Sequence, residues 1–329
     1  MKPLNIFYEE PNPDRWIKFD RYLRQIVRRI VRGKTKPGGV MRIALQLMKG
    51  LDKLNIPFRF NDFSYIKKHP EEIACIIGKP QILDKFKWKN PIIYGAGIFS
   101  HPTDDLDFLI KYPTIKKILV PGPWMKEVFD PFYGSHMVDF WPAGIDTEQW
   151  SDKIKTPSPT VDFLIYDKII WQYDTFEASL LKPIKKILDN HNLSYEVIRY
   201  GTYNHAELTA KLSKCKGSIF LCEHETQGQA YQQILATNTP VLAWDKGGYW
   251  QDPSYYPHKV QYQPVTSVPY WDERCGVKFT NATVFSDKLF EFIAKNKENK
   301  FMPRAYVLEN LSLEASTQKY LDLYNSIAQ

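Results

Sequence analysis

Short apolar runs alternate with stretches of helical period along most of this chain. Leu4–Tyr8, Phe58–Phe60, Ala74–Ile77, Ile92–Tyr94, Lys117–Val120 and Val138–Phe140 read as strands. A second series follows at Val161–Tyr166, Tyr195–Arg199, Ser218–Cys222, Val241–Trp244 and Gly276–Phe279. Between them, apolar residues recur every three or four positions over Val40–Leu54, Trp124–Phe129, Phe176–His191, His205–Ser213, Gln229–Thr237 and Ser286–Ala294, which predicts helices. Strands that alternate with helices pair in parallel, and such sheets take ligands at the carboxyl ends of their strands. About eleven strands are too many for one open sheet of ordinary size, so two doubly wound α/β halves are expected.

A break between the halves is visible. Trp141-Pro-Ala-Gly144-Ile-Asp146 closes the first series, and the Pro-, Ser- and Lys-rich stretch Ser151–Pro159 precedes the second, as a linker would. The expected division is an N-terminal domain over 1–145, a C-terminal domain over 146–311 and a last segment, 312–329. In that segment the helical pattern Leu313–Ile327 spaces Tyr320, Leu321 and Tyr324 to dock on a surface. A length of 329 residues suits two domains.

Composition narrows the function classes. Aromatics at 15% and charged residues at 25% are globular values. No apolar run approaches the ~20 residues of a membrane helix, and Met1-Lys-Pro-Leu-Asn-Ile-Phe-Tyr8 reads as a first strand rather than a signal peptide. Cys75, Cys215, Cys222 and Cys275 show neither C-x-x-C spacing nor disulfide density, so reduced thiols in a cytoplasmic protein without structural zinc are expected. The net charge of +7 favours anionic partners. No nucleic-acid motif accompanies it, and no specific nucleic-acid partner is expected.

One basic segment stands apart. Over residues 19–32, Leu23, Ile26, Val27, Ile30 and Val31 form an apolar stripe, and Arg21, Arg24, Arg28 and Arg32 a basic face. Such a helix either packs on the first domain with its charges in water or turns the arginines toward anionic membrane headgroups. The second reading is peripheral contact with the inner face of a membrane.

The segment Glu225-Thr-Gln-Gly228-Gln-Ala-Tyr-Gln-Gln233 carries the most specific chemistry. An apolar strand runs into it, a glycine turn follows, then a short helix that Asn238 can cap and Pro240 stops. The N–H groups of Gly228, Gln229 and Ala230 fall in the first helical turn, where they lack intrahelical partners and suit a diphosphate. Glu225 can accept from sugar hydroxyls or simply act as an acid near a helix start. Gln229 and Gln233, four apart, share a face. Asp105-Leu-Asp107 has the D-x-D spacing of a metal site, but it opens a helix-like stretch, Asp104–Ile110, where acids suit the N-terminus anyway. The aromatics Tyr249, Trp250, Tyr255, Tyr256, Tyr270 and Trp271 suit stacking on a sugar or base, or packing under a long loop.

Glu225–Ala243 resembles the donor-site signature of the retaining family-4 glycosyltransferases of the GT-B fold, E-G-F-G-x-x-x-x-E-A-M-A-x-G-x-P-V-V-A. Glu225 stands at the first acid, Gly228 at the second glycine, Ala236 at the alanine, and Pro240–Ala243 at the following strand. Pro37-Gly38-Gly39 resembles the family's Gly-Gly loop, Pro142–Asp146 its P-N-G-I-D junction, Gly247-Gly248 its second G-G, and Gly276–Phe279 its G-x-L-V element. The resemblance implies two Rossmann-like domains facing a cleft, acceptor in the first, donor in the second, and a last helix crossing back to the first. It implies transfer of a sugar from a nucleotide diphosphate, UDP or GDP foremost, to a glycan or other hydroxyl acceptor. Configuration would be retained, with no metal and no tightly bound cofactor. Carried over by position, Glu225, Lys168 and His101 form the catalytic set. Gln227, Gly228, Gln229, Ala230 and Gln233, with Gly201 and Tyr203, hold the donor, and Gly38 and Gly39 lie on the acceptor side.

Three positions depart from the family. Gln233 replaces the second glutamate, and a neutral amide lacks the charge-assisted bonds of a carboxylate to ribose. Ile169–Tyr173 lacks a second cation, and Thr226-Gln227 replaces Gly-Phe. A noncatalytic nucleotide-sugar or glycan-binding protein, or an epimerase on the same fold, are the alternatives.

Overall fold

The computed structural model describes residues 2–10, 38–95 and 97–328. The segment expected to be helical over 19–32, with Arg21, Arg24, Arg28 and Arg32, lies outside them. Two compact units emerge: 1–121 with 129–144 and 316–329, and 122–128 with 145–315.

The first unit is built on strands β1 (Leu4–Phe7), β2 (Phe58–Phe60), β3 (Ala74–Ile77), β4 (Ile92–Gly95), β5 (Ile115–Val120) and β6 (Val138–Phe140). They form one parallel sheet in the order β2-β1-β3-β4-β5-β6. Every residue of β1, β3 and β4 is buried, because a central parallel strand is covered on both faces; all are apolar apart from Asn5 in β1, whose amide donates to the Glu72 carboxylate at 2.9 Å. Helix Gly39–Lys53 presents Ile43, Ala44, Leu47 and Leu51 to one face, where they pack with Leu4, Ile6, Cys75 and Ile93. Tyr320 and Leu321 of the last helix, Leu313–Ala328, join the same core. The Trp141 indole donates to the Ser316 carbonyl at 3.0 Å, and its ring meets Tyr320 at 4.8 Å.

The second unit carries β7 (Val161–Lys168), β8 (Tyr195–Arg199), β9 (Cys215–Cys222), β10 (Val241–Trp244) and β11 (Gly276–Phe279), parallel in the order β11-β10-β9-β7-β8. Alternation along β7 and β9 divides the core. Leu164, Tyr166 and Phe220 face helices His205–Lys214 and Gln229–Ala236. Phe163, Ile165, Ile219 and Leu221 face Lys182–Asn190 and Ala282–Lys297. Helices on both faces make this a doubly wound sheet. Numbered from β7, its order is 2-1-3-4-5, which reverses direction between β7 and β9.

Among the described residues, the expected strands and helices appear, with shifted ends. β7 runs on to Lys168 because its pairing with β9 continues as far as Lys168 opposite Cys222. The helix expected over Phe176–His191 starts at Tyr173 and widens into a π-turn at Glu177–Leu181. Pro183 follows that turn and has no N–H for the preceding carbonyls. Asn238 takes the left-handed conformation, φ 57°, after helix Gln229–Ala236. Helices Phe63–Lys68 and Pro303–Asn310 had no expectation. The stretch expected to act as a linker is tied down at its start. Lys155 donates to the carbonyls of Leu212 at 2.8 Å and Cys215 at 2.9 Å, and Ser151 is buried. Asp105 pairs with Lys111 at 2.6 Å, and Asp107 precedes the helical turn Phe108–Lys111, consistent with a structural role. Among the described residues no helix is long and apolar enough to cross a membrane.

Gly276 opens β11 at φ +145°, and a Cβ there would lie 1.9 Å from the Val241 carbonyl oxygen. Gly276→Ala is therefore expected to lower unfolding stability by about 3 kcal/mol or more, through strain and overpacking together. Urea denaturation checks this; a loss below about 1 kcal/mol would mean that β10 and β11 are not packed as described.

Candidate functional site

The reversal between β7 and β9 leaves a crevice at the carboxyl ends of both strands, since their outgoing connections leave on opposite faces. Lys168 ends β7, and Cys222 ends β9 opposite it. The chain then runs through Glu223-His224-Glu225 and turns into helix Gln229–Ala236 at Gly228. Gly228 has φ +62°, and a Cβ would approach Glu225 Cγ at 3.2 Å, so glycine fits this turn.

The Lys168 ammonium and the Glu225 carboxylate form an ion pair with side chains only 14% and 10% exposed. Burial pushes the Glu225 carboxyl up, but Lys168 and the Gly228 N–H outweigh it, and its pKa is lowered. Burial likewise pulls Lys168 down, and the Glu225 charge carries it above its ordinary value. The carboxylate also accepts from the Thr226 N–H at 3.1 Å. The Gly228 backbone N–H, expected at the start of the helix that follows, is among the groups that lower the Glu225 pKa. The Glu225 peptide is held on both sides, with its N–H on the Thr266 carbonyl at 2.9 Å and its own carbonyl receiving the Trp124 indole at 2.8 Å.

Other groups hold the loop after Lys168. Ile169 N–H donates to Asp167 at 3.1 Å, and Asp167 is paired with Arg199 at 2.7 Å. Buried Glu223 accepts from the Ile170 N–H at 2.9 Å and the Trp171 N–H at 2.8 Å. Burial raises the Glu223 pKa. Trp171 stacks on His224 at 4.8 Å and 14°, and the Trp124 edge meets His224 at 5.6 Å. Burial pulls His224 down to about 4, so it is neutral at physiological pH.

Lys168, Glu225, Gln227, Gly228, Gln229, Ala230, Gln233, Gly201 and Tyr203 all belong to the second unit. The Tyr203 hydroxyl is 2.8 Å from that of Tyr166. The Lys168 ammonium lies 4.8 Å from the centre of the Tyr200 ring, and Gly201 follows in the left-handed region at φ +84°. Gln227 donates to the Tyr270 hydroxyl at 3.4 Å, and its side-chain oxygen is buried without a hydrogen-bond partner. Gln233 is buried at 6% exposure, whereas Gln229 is half-buried, so only part of their shared face meets solvent. His101, Gly38 and Gly39 belong to the first unit. His101 Nδ1 accepts from the Thr103 N–H at 3.1 Å and caps the turn Pro102–Asp104. Burial holds His101 down at about 4, and its neutral ring carries the proton on Nε2. Gly38 precedes helix Gly39–Lys53 and accepts from the Arg42 N–H at 3.0 Å. Among the described residues, His69, Glu71 and Glu72 alone cluster closely enough for three ligand atoms to share an ion. Glu72 is already engaged by Asn5 at 2.9 Å and Tyr65 at 3.0 Å.

Sequence reasoning passed over Glu223, His224, Asp167, Arg199 and Trp124. The run Glu223-His224-Glu225 after a buried strand was a signal for the first two. Trp124 had none, standing 101 positions from the carbonyl it supports.

No family model and no curated protein sequence matches the chain. Solved structures do. AviGT4, a glycosyltransferase involved in avilamycin A biosynthesis, is 11% identical, with a TM-score of 0.52 over 99% of this chain and 98% of that one. A structure of accessory secretory proteins 1, 2 and 3 of Streptococcus pneumoniae is 13% identical, with a TM-score of 0.50 over 80% of this chain and 54% of that one. A mutant of TarM from S. aureus, in complex with fondaparinux, α-GlcNAc-glycerol and UDP, is 12% identical, with a TM-score of 0.50 over 86% and 59%. The chain thus spans little more than half of two of these three relatives. The likeness is one of fold. The chain has the GT-B fold, two Rossmann-like α/β domains.

Removing one member of a buried ion pair leaves the other uncompensated, at about 3–5 kcal/mol. Glu225→Gln is therefore expected to destabilise the protein by about 3 kcal/mol at pH 7. The Glu225 pKa is lowered in the folded state, so its contribution is complete above the ordinary carboxylate value and lost as pH falls through the lowered one. The gap between wild type and variant, measured by urea denaturation, should close on acidification. A gap that widened would contradict the pairing.

Proposed function

We propose that this protein transfers a sugar from a nucleoside-diphosphate sugar to a glycan or other hydroxyl acceptor, with retention of configuration and without a tightly bound metal. One observation carries the reading: a buried cation and a buried carboxylate stand at the crevice between β7 and β9, where a doubly wound sheet takes its ligand. As the glycosidic bond breaks, negative charge builds on the leaving diphosphate, and the Lys168 ammonium supplies the compensating charge without reorganisation. Glu225 keeps that ammonium charged while it is dry and offers its oxygens to sugar hydroxyls. Gly228, Gln229 and Ala230 line the approach of the diphosphate to the helix start. Gly201 and Tyr203, after β8, suit the base and ribose, with Gln227 and Gln233 as neutral polar contacts. His101 and the Gly38-Gly39 helix start supply the acceptor side from the first domain, 1–145. The 146–311 domain takes the donor, and 312–329 packs on the first. A UDP-sugar is the first donor to test, since TarM was solved with UDP, with GDP-sugars next. The protein works in the cytoplasm, and Arg21, Arg24, Arg28 and Arg32 give it peripheral contact with anionic lipid.

Gln233 favours a second reading. Its buried amide stands where a ribose-binding carboxylate is expected, which suits a protein that binds sugar nucleotides without turning them over.

Lys168→Met should lower the transfer rate by about a hundredfold or more, comparable to loss of a transition-state charge partner. Lys168→Met with Glu225→Leu should remain folded, because an apolar pair replaces the ionic one. The checks are turnover of a panel of UDP- and GDP-sugars and thermal unfolding with and without donor. Unchanged turnover in a folded Lys168 variant would refute the role of the pair. Donor-induced stabilisation without any product from wild type would select the second reading.

A further inference from the structure

A cavity of about 440 Å³ opens in the second unit beside the carboxyl ends of β10 and β11. None of the candidate donor or catalytic residues lines it. Its volume lies within the ~300–1,000 Å³ typical of small-molecule sites. Much of its wall comes from the long connection between β10 and β11, residues 245–275, which carries Tyr262 and Trp271; Trp124 adds a third aromatic ring.

The polar groups of the wall are of both signs and are held in place. Asp245 pairs with Lys278 at 3.0 Å and also accepts from the Thr266 hydroxyl at 3.0 Å and the Ser267 N–H at 2.9 Å. Lys246 donates to Gln251 at 2.9 Å, and Glu127 accepts from the Tyr262 hydroxyl at 2.7 Å. Two ammoniums and two carboxylates sum to no net charge. An anion would meet Asp245 and Glu127 along with the lysines. A purely apolar ligand would bury ionic groups without offering them hydrogen bonds, which is unfavourable. A neutral polyhydroxylated ring fits both demands. Its hydroxyls donate to carboxylates and accept from ammoniums at once, and its C–H face covers an aromatic ring.

We propose that this cavity is a second saccharide site that takes a neutral pyranose. The side chains it would use are fixed by their own partners before a ligand arrives, which limits the ordering cost of binding. Two of its wall residues are those that hold the Glu225 peptide, Trp124 through its indole N–H and Thr266 through its carbonyl. An occupant therefore lies against the support of Glu225 without touching the donor residues themselves. The proposal concerns binding and does not depend on the transfer reaction.

The test uses the full chain, titrated by saturation-transfer NMR and calorimetry. The probes are the methyl pyranosides of glucose, galactose and N-acetylglucosamine, alongside methyl glucuronide, inorganic phosphate and UDP. At least one neutral pyranoside should bind saturably and stay bound when UDP is saturating. Trp271→Ala should weaken it about tenfold, the scale of one lost aromatic contact. Glu127 is exposed, so Glu127→Gln probes the site even if Trp271→Ala fails to fold, and it should weaken binding measurably with an unchanged unfolding midpoint. The proposal is overturned if no neutral pyranoside saturates, if UDP displaces it, if only the charged probes bind, or if both folded variants bind as wild type does.

Discussion

An ammonium and a carboxylate taken out of water together are the constraint around which the second unit is arranged. Either alone would be unfavourable by several kcal/mol even after relaxation, on the order of the whole stability of a domain. Their attraction offsets this only with good geometry and further hydrogen bonds, and the surroundings of Lys168 and Glu225 provide both. The Tyr200 ring lies near the cation, and the Thr226 N–H donates to the anion. The pair is thus a largely dry arrangement of opposite charges that carries no net charge of its own.

The sheet gives this pair its location, and buried polar groups give it precision. Reversal of strand order between β7 and β9 opens the crevice. The carboxylates of Asp167 and Glu223 then gather the backbone N–H groups of Ile169, Ile170 and Trp171, so the loop leaving Lys168 has few alternatives. A loop without such acceptors would leave its N–H groups to water and the lysine to many rotamers.

The sequence made the scaffold readable because strands covered on both faces are continuous apolar runs, as in β3, β4 and β10, and the helices between them carry regular stripes. Element ends were harder, since pairing decides them: nothing in Asp167-Lys168 alone says that β7 continues to meet Cys222. The segment from Glu225 to Gln233 was legible as a turn with an acid before a helix. Its ion pair was not, because Lys168 reaches Glu225 from another strand, 57 positions away. His101 was legible as a strand-end histidine but not as the cap of its own turn. Trp124 and Thr266, which fix the Glu225 peptide, come from places that only the folded chain brings together.

The stretch 122–128 belongs to the second unit although it is encoded before the first unit closes. A fragment cut at the junction between Gly144 and Ile145 would retain all five strands of the second sheet and lack Trp124. Its Glu225 carbonyl would lose the indole, and the cavity a wall. The functional boundary of the second half therefore does not coincide with any single point along the chain. During synthesis, a short piece of the emerging first half must wait for a partner carbonyl made about a hundred residues later.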